Sequence, residues 1–184
     1  MNTDIRILGI SGSLRRASRN TGLLRYAQEC FPDNVRFTLA DLSSMPFYNA
    51  DIANDKPEAV RTLIEQANNA DAFVLACPEY NYSLAPALKN ALDWLSREPD
   101  LKPFSGKAVA IMGAGAGMGT SRAQYHLRQV CVYLNLHPVN KPELFSNAFS
   151  SSFNEAGDVV DPALQGRIAE LMKALLAWHF QLAK

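Results

Sequence analysis

The sequence predicts an α/β fold: a doubly wound parallel sheet of five strands in the order 2-1-3-4-5, with helices on both faces. Three observations predict it. Short aliphatic or β-branched runs alternate along the chain with stretches of helical apolar spacing, and strict β/α alternation implies a parallel sheet covered on both sides. The third run, DAFVLACP, is almost wholly apolar, as befits a central strand buried on both faces. No internal repeat, low-complexity tract or linker divides the 184 residues. Residues 1–184 therefore read as one domain, large enough to bury roughly 70% of its unfolded surface.

The elements follow in order. IRILGIS (5–11) is the first strand and NTGLLRYAQECF (20–31) the first helix. VRFTLAD (35–41) is the second strand, PEAVRTLIEQANNA (57–70) the second helix, and residues 71–78 the third strand. SLAPALKNALDWLSR (83–97) reads as a helix capped by Ser83, with Pro86 tolerated in its first turn and Leu84, Leu88, Leu92 and Leu95 along one side. GKAVAIMGAG (106–115) is the fourth strand, residues 120–135 a helix, LHPVN (136–140) a short fifth strand, and residues 162–181 the closing helix.

Composition bounds the function. Lys+Arg and Asp+Glu both number 18, so no global field points to a nucleic acid or a membrane surface. The closing helix carries Arg167, Glu170 and Lys173 and is amphipathic rather than bilayer-spanning. The N-terminus has no signal-peptide layout. Cys30, Cys77 and Cys131 lie far apart, a pattern of reduced, mostly buried thiols in a cytoplasmic protein. Neither they nor the three scattered histidines have metal-ligand spacing.

Ligands of doubly wound sheets sit outside the carboxyl ends of the strands, where strand order reverses. Here that point lies between strands one and three, whose following loops are SGSLRRASRN and PEYNYS. The first runs from a strand into a helix, so backbone N–H groups and the positive helix end converge. Ser11, Ser13 and Ser18 add hydroxyls, Asn20 and Thr21 can donate or cap, and Arg15 offers a planar cationic fork. Gly12 permits the tight turn. The loop is either a cradle for one phosphate or a polar strand–helix turn. There is no GxxxxGK[ST] and no GxGxxG in it; GAGAGMG (113–119) puts Met118 or Thr120 where the last glycine of the dinucleotide fingerprint belongs, and reads as a flexible loop after strand four. In the second loop Tyr80 and Tyr82 offer flat faces with polar tips, and Asn81 supplies donor and acceptor for a heteroaromatic edge.

GSLRRASRN, PEYNYSLAPALKNALDWLSR and RAQYHLRQV…NKPE together resemble the NADPH-dependent FMN reductase family, closest to its chromate/quinone reductase branch. The resemblance covers nearly the whole chain and implies a flavodoxin-like fold that binds FMN non-covalently. It implies that Ser13, Arg15, Ser18, Asn20 and Thr21 surround the phosphate. Pro78, Glu79, Tyr80, Asn81 and Tyr82 would border the isoalloxazine, with Ala114 and Gly115 closing the other edge. It further implies hydride transfer from NAD(P)H through FMN to small-molecule acceptors such as quinones, flavins, azo dyes or chromate, by ping-pong kinetics. No nucleophile–base constellation stands out, in keeping with chemistry carried by the cofactor. A flavodoxin-type electron carrier is the alternative, with a flavin-binding scaffold a third; the balanced charge argues against a carrier, which usually presents an acidic surface.

On the helix 120–136, Ala123, Leu127, Val130, Cys131 and Leu134 form the apolar face, and Arg122, Tyr125, His126, Gln129 and Tyr133 the opposite one. Tyr and Arg are interface residues more than solvent-facing ones. The resemblance implies a homo-oligomer, dimer or tetramer, with Arg122, Tyr125 and Glu143 in its intersubunit network.

Overall fold

In a computed structural model, which describes residues 4–184, the apolar runs form the expected sheet; the first three residues of the single-domain reading lie outside it. Strand β1 (Ile5–Ser11) pairs in parallel with β2 (Val35–Leu39) on one side and β3 (Ala72–Ala76) on the other. Two short strands, β4 (Glu79–Tyr80) and β5 (Ser83–Leu84), form a separate hairpin. Strand β6 (Ala108–Gly115) continues the sheet beyond β3. Beyond β6 the fifth position is shared: β7 (His137–Pro138) pairs with Ala108 and Val109, and β8 (Leu144–Asn147) with Met112 to Gly115. The flavodoxin-like order 2-1-3-4-5 stands, but the fifth strand is in two pieces. The sequence reading over 136–140 found the first piece and missed the second.

Alternation along the strands divides the core between the two faces. Leu8, Ile10, Phe73, Leu75, Val109 and Ile111 meet helices α2 (Glu58–Asn69), α3 (Pro86–Leu95) and α4 (Ser121–Leu134). Ile5, Ile7, Val74, Ala110 and Met112 meet α1 (Arg19–Glu29) and α5 (Pro162–Leu182). The α4 residues expected to face the sheet do so: Ala123, Leu127, Cys131 and Leu134 are buried and Val130 packs against them. Trp94 of α3 is fully buried, and its indole N–H and the Asn90 amide both donate to the Pro46 carbonyl, which fixes the long loop after β2. No helix among the described residues is long and apolar enough to cross a membrane.

Helix α3 starts three residues later than its apolar spacing suggests. Ser83 belongs to the hairpin and does not cap; Ala85 occupies the cap position without a side-chain bond, and Pro86 opens the helix, where its missing N–H costs nothing.

Candidate functional site

The carboxyl ends of β1, β3, β6 and β8 open on one cavity of about 220 Å³. Its floor is set by how closely the first two loops approach each other. Gly12 donates its N–H to the Ala76 carbonyl at 2.9 Å, and a side chain there would meet Pro78 Cδ at 2.8 Å. The glycine is required by this contact between loops; its backbone is not in the left-handed region, contrary to the turn expected from sequence.

Ser18, in extended conformation, caps α1: its Oγ accepts the Thr21 N–H at 3.1 Å. Thr21 Oγ1 in turn donates to Ser11 Oγ at 2.9 Å, and Ser11 accepts the Ser13 N–H at 3.2 Å. Thr21 thus orders the loop from behind and does not line the cavity, whereas Ser13, Arg15, Ser18 and Asn20 do. Asn20 also bridges. Its carboxamide donates to the Ala114 carbonyl at 2.9 Å and accepts the Ala114 N–H at 3.0 Å, tying the start of α1 to the end of β6. One N–H of the amide is left over for a ligand.

Arg19 opens α1 and lines the cavity, and sequence reasoning passed over it for Arg15. Its Nε is buried and has no hydrogen-bond partner among the described residues. A buried cationic donor without an acceptor is costly, and an anion bound beside Arg19 would remove that cost. Arg15 and Arg19 are the cations of the lining and Glu79 its one carboxylate, which is paired with Arg122. A phosphate monoester suits that balance, and a helix N-terminus is a ready anion site. The signal for Arg19 was its place immediately after the capping serine.

From the β3 side, Pro78, Glu79 and Tyr80 line the cavity, while Asn81 and Tyr82 stand at the hairpin tip outside it. Burial pushes the Cys77 thiol, next to Pro78, up to about 12, so it stays protonated and is no nucleophile. From the β6 side come Ala114, Gly115 and Ala116. The glycine-rich segment read as flexible is a hydrogen-bonded turn: Gly119 N–H donates to the Ala116 carbonyl at 2.8 Å, and buried Thr120 accepts from Gln124.

The remaining wall, Ala148 and Phe149, was not anticipated, because it follows the missed strand β8. Phe149 is 77% exposed at the cavity lip. The chain after it packs on the end of the loop after β1 and on α1. A side chain at Gly22 would strike the Gly157 carbonyl, and Arg25 Nε donates to Asp158 at 2.7 Å. That hydrogen bond, with help from Asn154, holds the Asp158 carboxyl below the usual carboxylate range. The latch is therefore complete near neutral pH and weakens as pH falls through that lowered value.

Of the residues assigned to a subunit interface, Tyr125 and Glu143 meet within the chain, the phenol donating at 3.1 Å. Lys141 donates to the same carboxylate and, with Tyr125, holds it below its ordinary range. Arg122 turns away from them, toward Glu79 and Tyr82.

Residues 5–150 match the family described as NADPH-dependent FMN reductase. The chain is 48% identical over 180 residues to an NAD(P)H-dependent FMN reductase of Pseudomonas aeruginosa, covering 97% of both chains. It is 40% identical over 185 residues to an NAD(P)H:quinone oxidoreductase of Solanum tuberosum, covering 97% of this chain and 94% of that one. The solved structure of the flavoenzyme NAD(P)H:(acceptor) oxidoreductase of Paracoccus denitrificans matches with a TM-score of 0.86 at 26% identity, over 96% of this chain and 98% of that one.

Proposed function

Because the chain belongs to the NADPH-dependent FMN reductase family, we propose that its cavity holds one FMN and that it reduces quinones, flavins, azo compounds or metal oxyanions such as chromate with NAD(P)H. The observation that carries this reading is the buried, unpartnered Nε of Arg19 in a cavity at the switch point of the sheet. Arg15, Arg19, Ser13, Ser18 and the free N–H of Asn20 receive the phosphate, with Thr21 bracing them. Pro78, Glu79 and Tyr80, with Asn81 and Tyr82 at the tip, border one edge of the ring, and Ala114 and Gly115 the other.

When bound, FMN supplies the redox chemistry, accepting hydride from the nicotinamide and passing electrons to the acceptor. The protein's part is to orient and to exclude water. Pro78 and Ala114 give a buried apolar surface, and the exposed Ala116, Tyr80 and Phe149 stand toward the mouth. At about 220 Å³ the cavity is smaller than the roughly 300–1,000 Å³ of pockets that enclose a ligand. Such a cavity would not enclose a ligand the size of FMN, and its open mouth would leave room for nicotinamide and acceptor in turn.

Ping-pong kinetics is the expected outcome. Double-reciprocal plots against NADPH at several quinone concentrations should be parallel, with each substrate competing against the other at high concentration. Intersecting lines without competition contradict a shared face. The same assay separates the reductase from an electron carrier, which shows no turnover with NADPH and quinone.

We also propose a homo-oligomer, dimer or tetramer, built on the outer face of α4. Tyr125 is 55% and Tyr133 65% exposed there, and Arg122, Tyr125 and Glu143 are the contact residues. Light scattering at micromolar concentration should give a multiple of the 20.3 kDa chain mass, reduced in Tyr125→Ala. A monomeric wild type, or a mutant of unchanged mass, overturns it. The three cysteines occur as free thiols, in keeping with a cytoplasmic enzyme.

A further inference from the structure

The hairpin at the flavin edge is held in a conformation that one of its two turn residues disfavours. Strands β4 and β5 are joined by Asn81 and Tyr82 alone, with φ of 51° and 67°. A two-residue hairpin of this kind needs positive φ at both positions. Asparagine tolerates that region, but for a bulky aromatic it is an outlier that surrounding contacts must hold in place.

Those contacts come from α4. The Arg122 guanidinium lies over the Tyr82 ring, 3.8 Å from its centroid. Its Nε donates to Glu79 Oε1 at 2.6 Å, and a terminal nitrogen pairs with the same oxygen. The second Glu79 oxygen accepts the Ala123 N–H at 3.3 Å, in the first turn of the helix. One turn along, His126 Nδ1 and Ser83 Oγ share a hydrogen bond of 3.1 Å. Both arms of the hairpin are thus tied to one helix, and Arg122 touches both Glu79, which lines the cavity, and the strained Tyr82.

We propose that Arg122 is a positioning residue for the flavin: it clamps the Glu79–Tyr82 turn and neutralises the Glu79 carboxylate beside the ring. The inference rests on the reading that this turn borders FMN. Lysine supplies the charge without the planar fork that stacks and bonds together, so the two functions are separable by substitution.

The test uses the holoenzyme. Arg122→Ala should bind FMN roughly five- to tenfold more weakly, lower the reduction potential of the bound flavin, and change its fluorescence. The lowered potential follows because an unpaired carboxylate disfavours electrons added to the ring. Glu79→Gln in the Arg122→Ala background should restore the potential, and Arg122→Lys should keep the potential but not the fluorescence. Wild-type potential and FMN affinity in Arg122→Ala overturn the proposal. So does a potential that Glu79→Gln fails to restore, or a fall in flavin affinity and potential that Tyr125→Ala, which touches only the proposed subunit contact, reproduces in full. If Arg122→Ala does not fold, the lysine and Glu79→Gln single variants decide by the same readouts. A wild type that binds no FMN fails a different claim, the functional reading itself.

Discussion

Asn20→Ala is expected to lower the stability of the folded chain by on the order of 2–6 kcal/mol, the cost of leaving one buried donor and one buried acceptor unmade. Asn20 is 6% and Ala114 4% exposed, so a water replacing the lost amide would have to enter from the cavity that both residues line. FMN retention should fall as well, because the bridge fixes the phosphate loop against the loop that closes the other edge of the ring. Urea unfolding checks the first effect, as a lower midpoint at unchanged slope, and flavin content after gel filtration the second. An unchanged midpoint would show that Ala114 finds other partners.

Asn20 also shows where sequence reading stops. Its place in a polar strand–helix loop was legible, and so was the loop's position opposite PEYNYS, because the apolar runs of β1, β3 and β6 fix the sheet order. That its amide is also committed to a backbone group 94 residues away has no local signature. The same holds for the fifth strand. His137–Pro138 carries an apolar flank, but Leu144–Asn147 follows Lys141, Pro142 and Glu143, which read as loop, and with it went Phe149. The hairpin was hidden for a different reason. Its strands have two residues each, too few to show alternation, and Tyr82 occupies a backbone region that propensity assigns to glycine or asparagine. Arg19 was passed over although it stands directly after its cap, because only folding shows which arginine of RRASR is turned inward.

Arg19→Ala and Arg15→Ala should each weaken FMN by about 1.5–3 kcal/mol, the usual worth of a hydrogen bond to a charged group, or roughly ten- to 150-fold in dissociation constant. The two should differ in character. Arg15 is exposed at the rim, so part of its contribution should fade with added salt. Arg19, with its buried Nε, should be far less salt-sensitive. Neither mutation should alter riboflavin binding, which lacks the phosphate. Isothermal titration of apoprotein with FMN and riboflavin, at low and high salt, resolves all three statements. Equal losses for riboflavin and FMN would place the phosphate elsewhere.

The most direct measurement is the absorbance spectrum of the purified protein before and after NADPH is added without oxygen, followed by identification of the flavin released on heating. The account predicts a yellow protein whose flavin band bleaches with NADPH, returns when a quinone is added, and is released as FMN. A protein that takes up no FMN, or whose bound flavin keeps its full band in excess NADPH and NADH, would contradict it.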